Sequence, residues 1–257
     1  MEKIINPTAI YVLWLREMKR FIRAKSRIIG SLATPLFFLA FLGLGFNKMA
    51  MPGVLKNINY VNFLVPGIIG MGMLFTSTFA GLSVLWDREF GFLKEIMVAP
   101  VNRISIVIGR IIGGVTTAII QGLLILFISF IGGFRIKGLL SFPSSILFMI
   151  LISATFIGLG LILASQMKDM QGFGIIMNFI IFPLFFLSGA LYPIDNLPKS
   201  IRFLSYVDPL TYGIDGLRNS LIGISSFSFL LDLILMIGFS FIMVICGAYF
   251  FERSESV

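Results

Sequence analysis

Apolar residues fill this chain in six long runs, over about 28–46, 63–85, 104–130, 144–166, 173–191 and 227–251, with short polar interruptions between them. A helix rises about 1.5 Å per residue, so about 19 residues cross a hydrocarbon core of about 30 Å. Backbone polar groups inside a bilayer must be satisfied within the segment, and a continuous apolar run does this as a helix. The expected fold is all-α: a polytopic membrane protein with six transmembrane helices.

Three stretches break the apolar pattern in an organised way. In residues 9–27, Arg16, Arg20, Arg23 and Arg27 recur at spacings of four, three and four, on one helical stripe, while Trp14, Met18, Phe21 and Ile22 form another face. This predicts an N-terminal amphipathic helix in the membrane interface, the alternative being a basic flank that only anchors the next span. Residues 86–103, WDREFGFLKEIMVAPVNR, place Leu93, Ile96 and Met97 at i, i+3 and i+4. That is a short amphipathic helix at the membrane surface, ended by Pro100. Residues 192–226 are too polar to span and too apolar for a solvated loop. Pro193 and Pro198 bracket a turn, Ile201, Leu204 and Ser205 suggest a short helix ending near Asp208-Pro209, and Tyr212, Leu217 and Leu221 suggest a second. Together they read as an outer re-entrant hairpin, shielded by protein, or as an extracellular loop with surface helices.

Composition narrows the chemistry. Of 257 residues 58% are hydrophobic and 12% charged, against about 25% charged in soluble domains, and the mean hydropathy is +1.01. The spans leave no room for a separate soluble catalytic domain. One cysteine, Cys246, and no histidine exclude a disulfide framework and a Cys/His zinc site. The start, MEKIINPTAI, lacks the apolar core and small-residue site of a cleavable signal. The net charge of +8 fits basic loops facing anionic lipid rather than nucleic acid. With six spans, 13 of the 20 Lys and Arg fall on the side of the two ends, which puts both termini and the 86–103 stretch in the cytoplasm.

The spans carry little that could react. No G-x-x-x-x-G-K-[ST] phosphate loop occurs, and Asp232 is the one acid within a span. Without a charged relay an ion-coupled secondary transporter is disfavoured, and energy must come from elsewhere or not be needed. Gln121 and Asn178, in the third and fifth spans, are either interhelical glue or part of a substrate path. Gly109-x-x-x-Gly113 has helix-packing spacing.

The order of these parts resembles the membrane-spanning subunit of type-2 ABC transporters. Residues 86–101, WDREFGFLKEIMVAPV, are similar to that family's cytoplasmic signature. Residues 188–193 (SGALYP), 196–198 (NLP), 208–212 (DPLTY) and 215–218 (DGLR) are similar to its second signature. The likeness is strongest to the daunorubicin-type drug exporters and nodulation-factor exporters. Phe92 and Lys94 stand where that family often has a small hydroxyl residue and an acid. The resemblance implies a permease subunit without enzyme activity, in a homodimer of this chain bound to two separate ABC ATPase subunits, in the plasma membrane. ATP and magnesium would sit on the ATPase, with no cofactor on this chain. It implies that Arg88, Glu89, Phe90, Gly91, Phe92, Leu93, Lys94 and Met97 form a coupling helix on the ATPase, braced by the helix bearing Arg16, Arg20 and Arg23. The first and fifth spans would form the dimer interface and substrate path, capped by a hairpin containing Pro193, Pro198, Asp208, Pro209, Asp215 and Arg218. Apolar spans suit lipids, amphipathic drugs or lipid-linked glycans. A non-transporting assembly or anchor protein is the reading from another class.

Overall fold

Asn6 starts the first helix. Its side chain accepts hydrogen bonds from the backbone N–H groups of Thr8 and Ala9, and Pro7 supplies the preset first turn. The computed structural model describes residues 6–46, 59–89, 102–138, 141–167 and 169–254. Helix α1 runs Pro7–Arg23. It is shorter than the expected 9–27, because Ala24 leaves helical geometry (φ −87°, ψ 61°) and turns its N–H back to the Arg20 and Phe21 carbonyls. The chain restarts as α2, Lys25–Phe46, and the two axes differ by 69°. Lys25 and Arg27 therefore open the first span instead of closing the surface helix.

The other long helices are α3 (Tyr60–Glu89), α4 (Arg103–Ile131), α5 (Phe142–Gln166), α6 (Met170–Leu187) and α9 (Phe229–Ser254). These five are long and apolar enough to cross a membrane alone, and the bent α1–α2 pair brings the number to six if it is counted as one span. The described residues contain no strand. Helix α3 has 30 residues, a length of about 45 Å. It is longer than the hydrocarbon core, so at least one of its ends stands outside that core.

Helix α5 is the centre of the bundle. Successive residues on a helix are about 100° apart, so Gly158 and Gly160 face nearly opposite ways. A Cβ on Gly160 would run into the backbone of Thr78, and one on Gly81 into Gly160; one on Gly158 would run into Met243. Glycine thus brings α3 and α9 into backbone contact with α5 from two sides, as small residues do between membrane helices. Phe148, Phe156, Leu64 and Ile68 fill the core on either side of this crossing.

The fifth span ends at Leu187, short of residue 191, because Gly189 takes a left-handed turn (φ 71°) that only glycine adopts freely. Beyond it come a 3-10 turn, Ile194–Asn196, and the short helices α7 (Lys199–Val207) and α8 (Pro209–Ile222). The Asp208 carboxylate caps α8 by accepting from the Leu210 N–H at 2.9 Å, and Gly223 (φ 73°) ends it. Twelve of the 14 residues of α8 are buried, against α3, α5 and α9. Helix α7 stays outside, with Phe203, Leu204 and Val207 exposed.

Candidate functional site

Two regions gather the polar chemistry of the bundle, one at each end. At the end where α3 terminates, Asp87 sits between two arginines. Arg16 of α1 donates to one carboxylate oxygen at 2.7 Å and Arg110 of α4 donates to the other at 2.8 Å. Asp87 and Arg110 are buried, 5% and 7% exposed. The Arg110 guanidinium also lies 5.6 Å from the Phe251 ring of α9, and Arg20 lies 5.1 Å over Trp86, a favourable placement of a cation on an aromatic face. One carboxylate therefore joins α1, α3 and α4, with α9 held through Phe251.

The sequence supplies this knot in two ways. Gly109 and Gly113 leave α4 bare where α1 crosses, so that a Cβ on Gly109 would press on Leu13 and one on Gly113 on Glu17. Trp14 Nε1 then donates to Thr116 Oγ1 at 3.1 Å, and Ser105 Oγ accepts from the Asn6 N–H at 2.9 Å. The arginine stripe expected to face lipid headgroups is partly turned inward: Arg16 meets Asp87, Arg20 meets Trp86, and Arg23 is exposed. Amphipathic spacing defines a polar face, but whether water or a buried carboxylate meets that face depends on the packing of α4. Arg88 and Glu89 belong to the last turn of α3. Phe90, Gly91, Phe92, Leu93, Lys94 and Met97 lie outside the described residues.

Above the knot lies a cavity of about 490 Å³ between α1, α2, α3 and α4. On α4 it is lined by Arg110, Gly114, Thr117 and Gln121, a single helical stripe. Gln121 closes its inner end. Pro35 has no N–H, which frees the Ser31 carbonyl four residues back; Gln121 Nε2 donates to that oxygen at 3.0 Å, while its Oε1 accepts from Thr76. The amide thus joins α2, α3 and α4. Asn178 is elsewhere, exposed on the α6 face that carries Ile175 and Phe179, and the structure does not bring the two amides together.

The opposite end holds the hairpin. The Asp215 carboxylate accepts from the backbone N–H groups of Ser226 and Phe227 at 2.8 and 2.9 Å, which fixes the start of α9. Arg218, one turn on, donates to the Gly189 carbonyl at 2.9 Å and lies 3.9 Å from the Phe63 ring of α3. The D-x-x-R spacing thus ties α8 to α9 on one side and to α3 and the end of α6 on the other. Burial pushes the Asp215 carboxyl up and pulls the Arg218 guanidinium down to about 10. Asp208 is raised further by its own burial. Pro209 is buried in the first turn of α8, whereas Pro193 and Pro198 flank the 3-10 turn. Asp232 is fully buried, and neither of its carboxylate oxygens makes a hydrogen bond among the described residues. No group of acids, cysteines or histidines suited to a metal occurs among the described residues.

Sequence reasoning missed the Asp87–Arg110 pair. The available signal was Arg110 itself, a cation within an apolar run, which needs a partner.

A family model described as ABC-2 type transporter matches residues 8–222. The chain is 28% identical over 222 residues to the inner membrane transport permease YadH of Escherichia coli K12, covering 84% of each. It is 29% identical over 215 residues to the putative transport permease ycf38 of Cyanophora paradoxa, covering 81% of this chain and 73% of that one. It is 26% identical over 223 residues to nodulation protein J of Sinorhizobium fredii, covering 84% and 82%.

Proposed function

The chain belongs to the ABC-2 type transporter family, and on that premise we propose that it is the permease subunit of an ATP-driven exporter. It moves an amphipathic, lipid-like, glycan or drug substrate across the cell membrane. Energy comes from separate ABC ATPase subunits, two per homodimer of this chain, which hold the ATP and magnesium. Both termini and the 86–103 stretch face the cytoplasm, and the coupling helix docks on the ATPase through Glu89, Phe92, Leu93 and Lys94.

The observation that carries this reading is the position of the Asp87 knot. It lies within three residues of the proposed coupling helix and joins three helices, with a fourth packed against Arg110. A displacement applied to the end of α3 is therefore shared with α1 and α4 instead of being lost in one helix end. Helices α2 and α6, with Phe37, Phe41 and Phe179 exposed, supply apolar faces for the second copy.

Co-expression with candidate ABC ATPase subunits from the same genome tests the proposal. One of them should purify with this chain, and Leu93→Asp should abolish ATP-dependent transport while membrane insertion persists. Undiminished assembly and transport in that variant would remove the coupling role.

A further inference from the structure

The cavity above the Asp87 knot is chemically graded along its length. At the surface end stand Glu17, Arg20 and Arg110, with Asp87 and Arg16 directly behind. Among the described residues, three cations stand there against two anions. Glu17 does not neutralise Arg20 fully: Arg20 Nη1 stands 3.6 Å from it, and Arg20 Nη2 is buried without a hydrogen bond among the described residues. From Arg110 to Gln121 is eleven residues of α4, or about 16 Å. Over that distance the lining turns to Phe75, Phe79, Ala80 and Pro35 with the hydroxyl side chains of Thr34, Thr76 and Thr117 between them, and it holds no further ionisable group among the described residues. The volume of about 490 Å³ lies within the usual range for small-molecule sites, about 300–1,000 Å³.

We propose that this cavity binds a single-chain anionic amphiphile, its head at Arg20 beside Arg110 and its chain along Phe75 and Phe79 toward Gln121. A buried guanidinium nitrogen favours an anionic oxygen, since charge-assisted hydrogen bonds are the strong ones. A mainly apolar, uncharged lining over this length favours a chain over a second charged group. The same chemistry comes from two sources, a resident membrane lipid and a transported cargo. Only the cargo assignment rests on the exporter reading above; binding itself does not.

The chain has two tryptophans, and Trp86 lines the mouth beside Arg20. In a Trp14→Phe background Trp86 is therefore a local reporter. The full chain in phosphatidylcholine nanodiscs is titrated with lysophosphatidylglycerol, lysophosphatidylcholine and inorganic phosphate. Lysophosphatidylglycerol should give a saturable change in Trp86 fluorescence, with lysophosphatidylcholine about tenfold weaker and phosphate silent. Arg20→Gln should weaken the anionic lipid about tenfold. Gly30 lines the cavity and a Cβ there meets nothing within 4 Å, so Gly30→Leu puts bulk into the cavity from an open position and should abolish saturation. Thr34→Phe does the same from the next turn, and a melting curve for each variant confirms folding. Equal response to both lysolipids, a response to phosphate, or unchanged saturation in both filled variants overturns the proposal. With ATPase and ATP present, loss of the signal marks a cargo and retention a resident lipid, and both keep the site. Failure of the ATPase to assemble would end the exporter reading and leave the binding result standing.

Discussion

Asp87 and Arg110 meet at 2.8 Å with both side chains buried, although 23 residues separate them in sequence. Removing one partner of such a pair leaves the other charge buried and costs about 3–5 kcal/mol, more than the pair itself contributes. Asp87→Ala should therefore lower the melting temperature in detergent steeply, and Asp87→Leu with Arg110→Met should recover most of the loss. A double variant no more stable than Asp87→Ala would show that the aspartate acts in some other way.

Gln121→Leu should cost about 1 kcal/mol, since an interhelical amide bond is typically worth about 0.6–2 kcal/mol. Pro35→Ala returns an N–H to α2, which the Ser31 carbonyl accepts. In that background Gln121→Leu should cost measurably less. A double-mutant cycle on unfolding free energy reads the coupling, and strict additivity would break the link between the two residues.

Gly160→Ala and Gly158→Ala force a methyl group into facing backbone. Each should destabilise by about 1–3 kcal/mol, as overpacking does. A methyl group on Gly238 would meet nothing within 4 Å, so Gly238→Ala should be neutral or stabilise by up to about 1 kcal/mol through helix propensity. Chemical unfolding of the three variants side by side tests the contrast.

Burial raises the Asp208 carboxyl well above its usual range, and Asp215 shares the direction. The folded chain then holds protons that the unfolded chain has released, so stability falls as pH rises from the ordinary carboxylate range through the raised values. Asp208→Asn keeps the cap on Leu210, since asparagine is as good a capping residue. It should flatten the fall in melting temperature toward neutral pH. Asp208→Ala flattens it too but loses about 1 kcal/mol of capping.

The hairpin was legible because its punctuation is local. Asp208-Pro209 opens α8 and Gly223 closes it within one short stretch of chain; Asn6-Pro7 and Ser188-Gly189 are equally local marks, but the apolar pattern alone set those ends at residues 9 and 191. The Asp87 knot was not legible, because Arg16 and Arg110 reach it across 71 and 23 residues. Nothing local distinguishes an arginine facing headgroups from one facing a buried carboxylate. Gln121 could be read as glue or as a path residue, and the missing N–H of Pro35, two spans away, explains its hydrogen bond to Ser31. The D-x-x-R spacing could be recognised, but its two attachments, to Gly189 and to Ser226 and Phe227, depend on how the hairpin folds back.

Backbone seated on backbone cannot slide without a clash, and at Gly81, Gly158 and Gly160 three helices are fixed in this way. Helices α3, α5 and α9 therefore form one closely locked frame. The first and fifth spans each leave that frame at a turn: Ala24, where α1 bends into α2, and Gly189, where α6 turns into the hairpin and Ala190 seats against Gly67 of α3. On the transport role proposed above, the expected stroke is a swing of these two spans about those turns, with the frame between them held still.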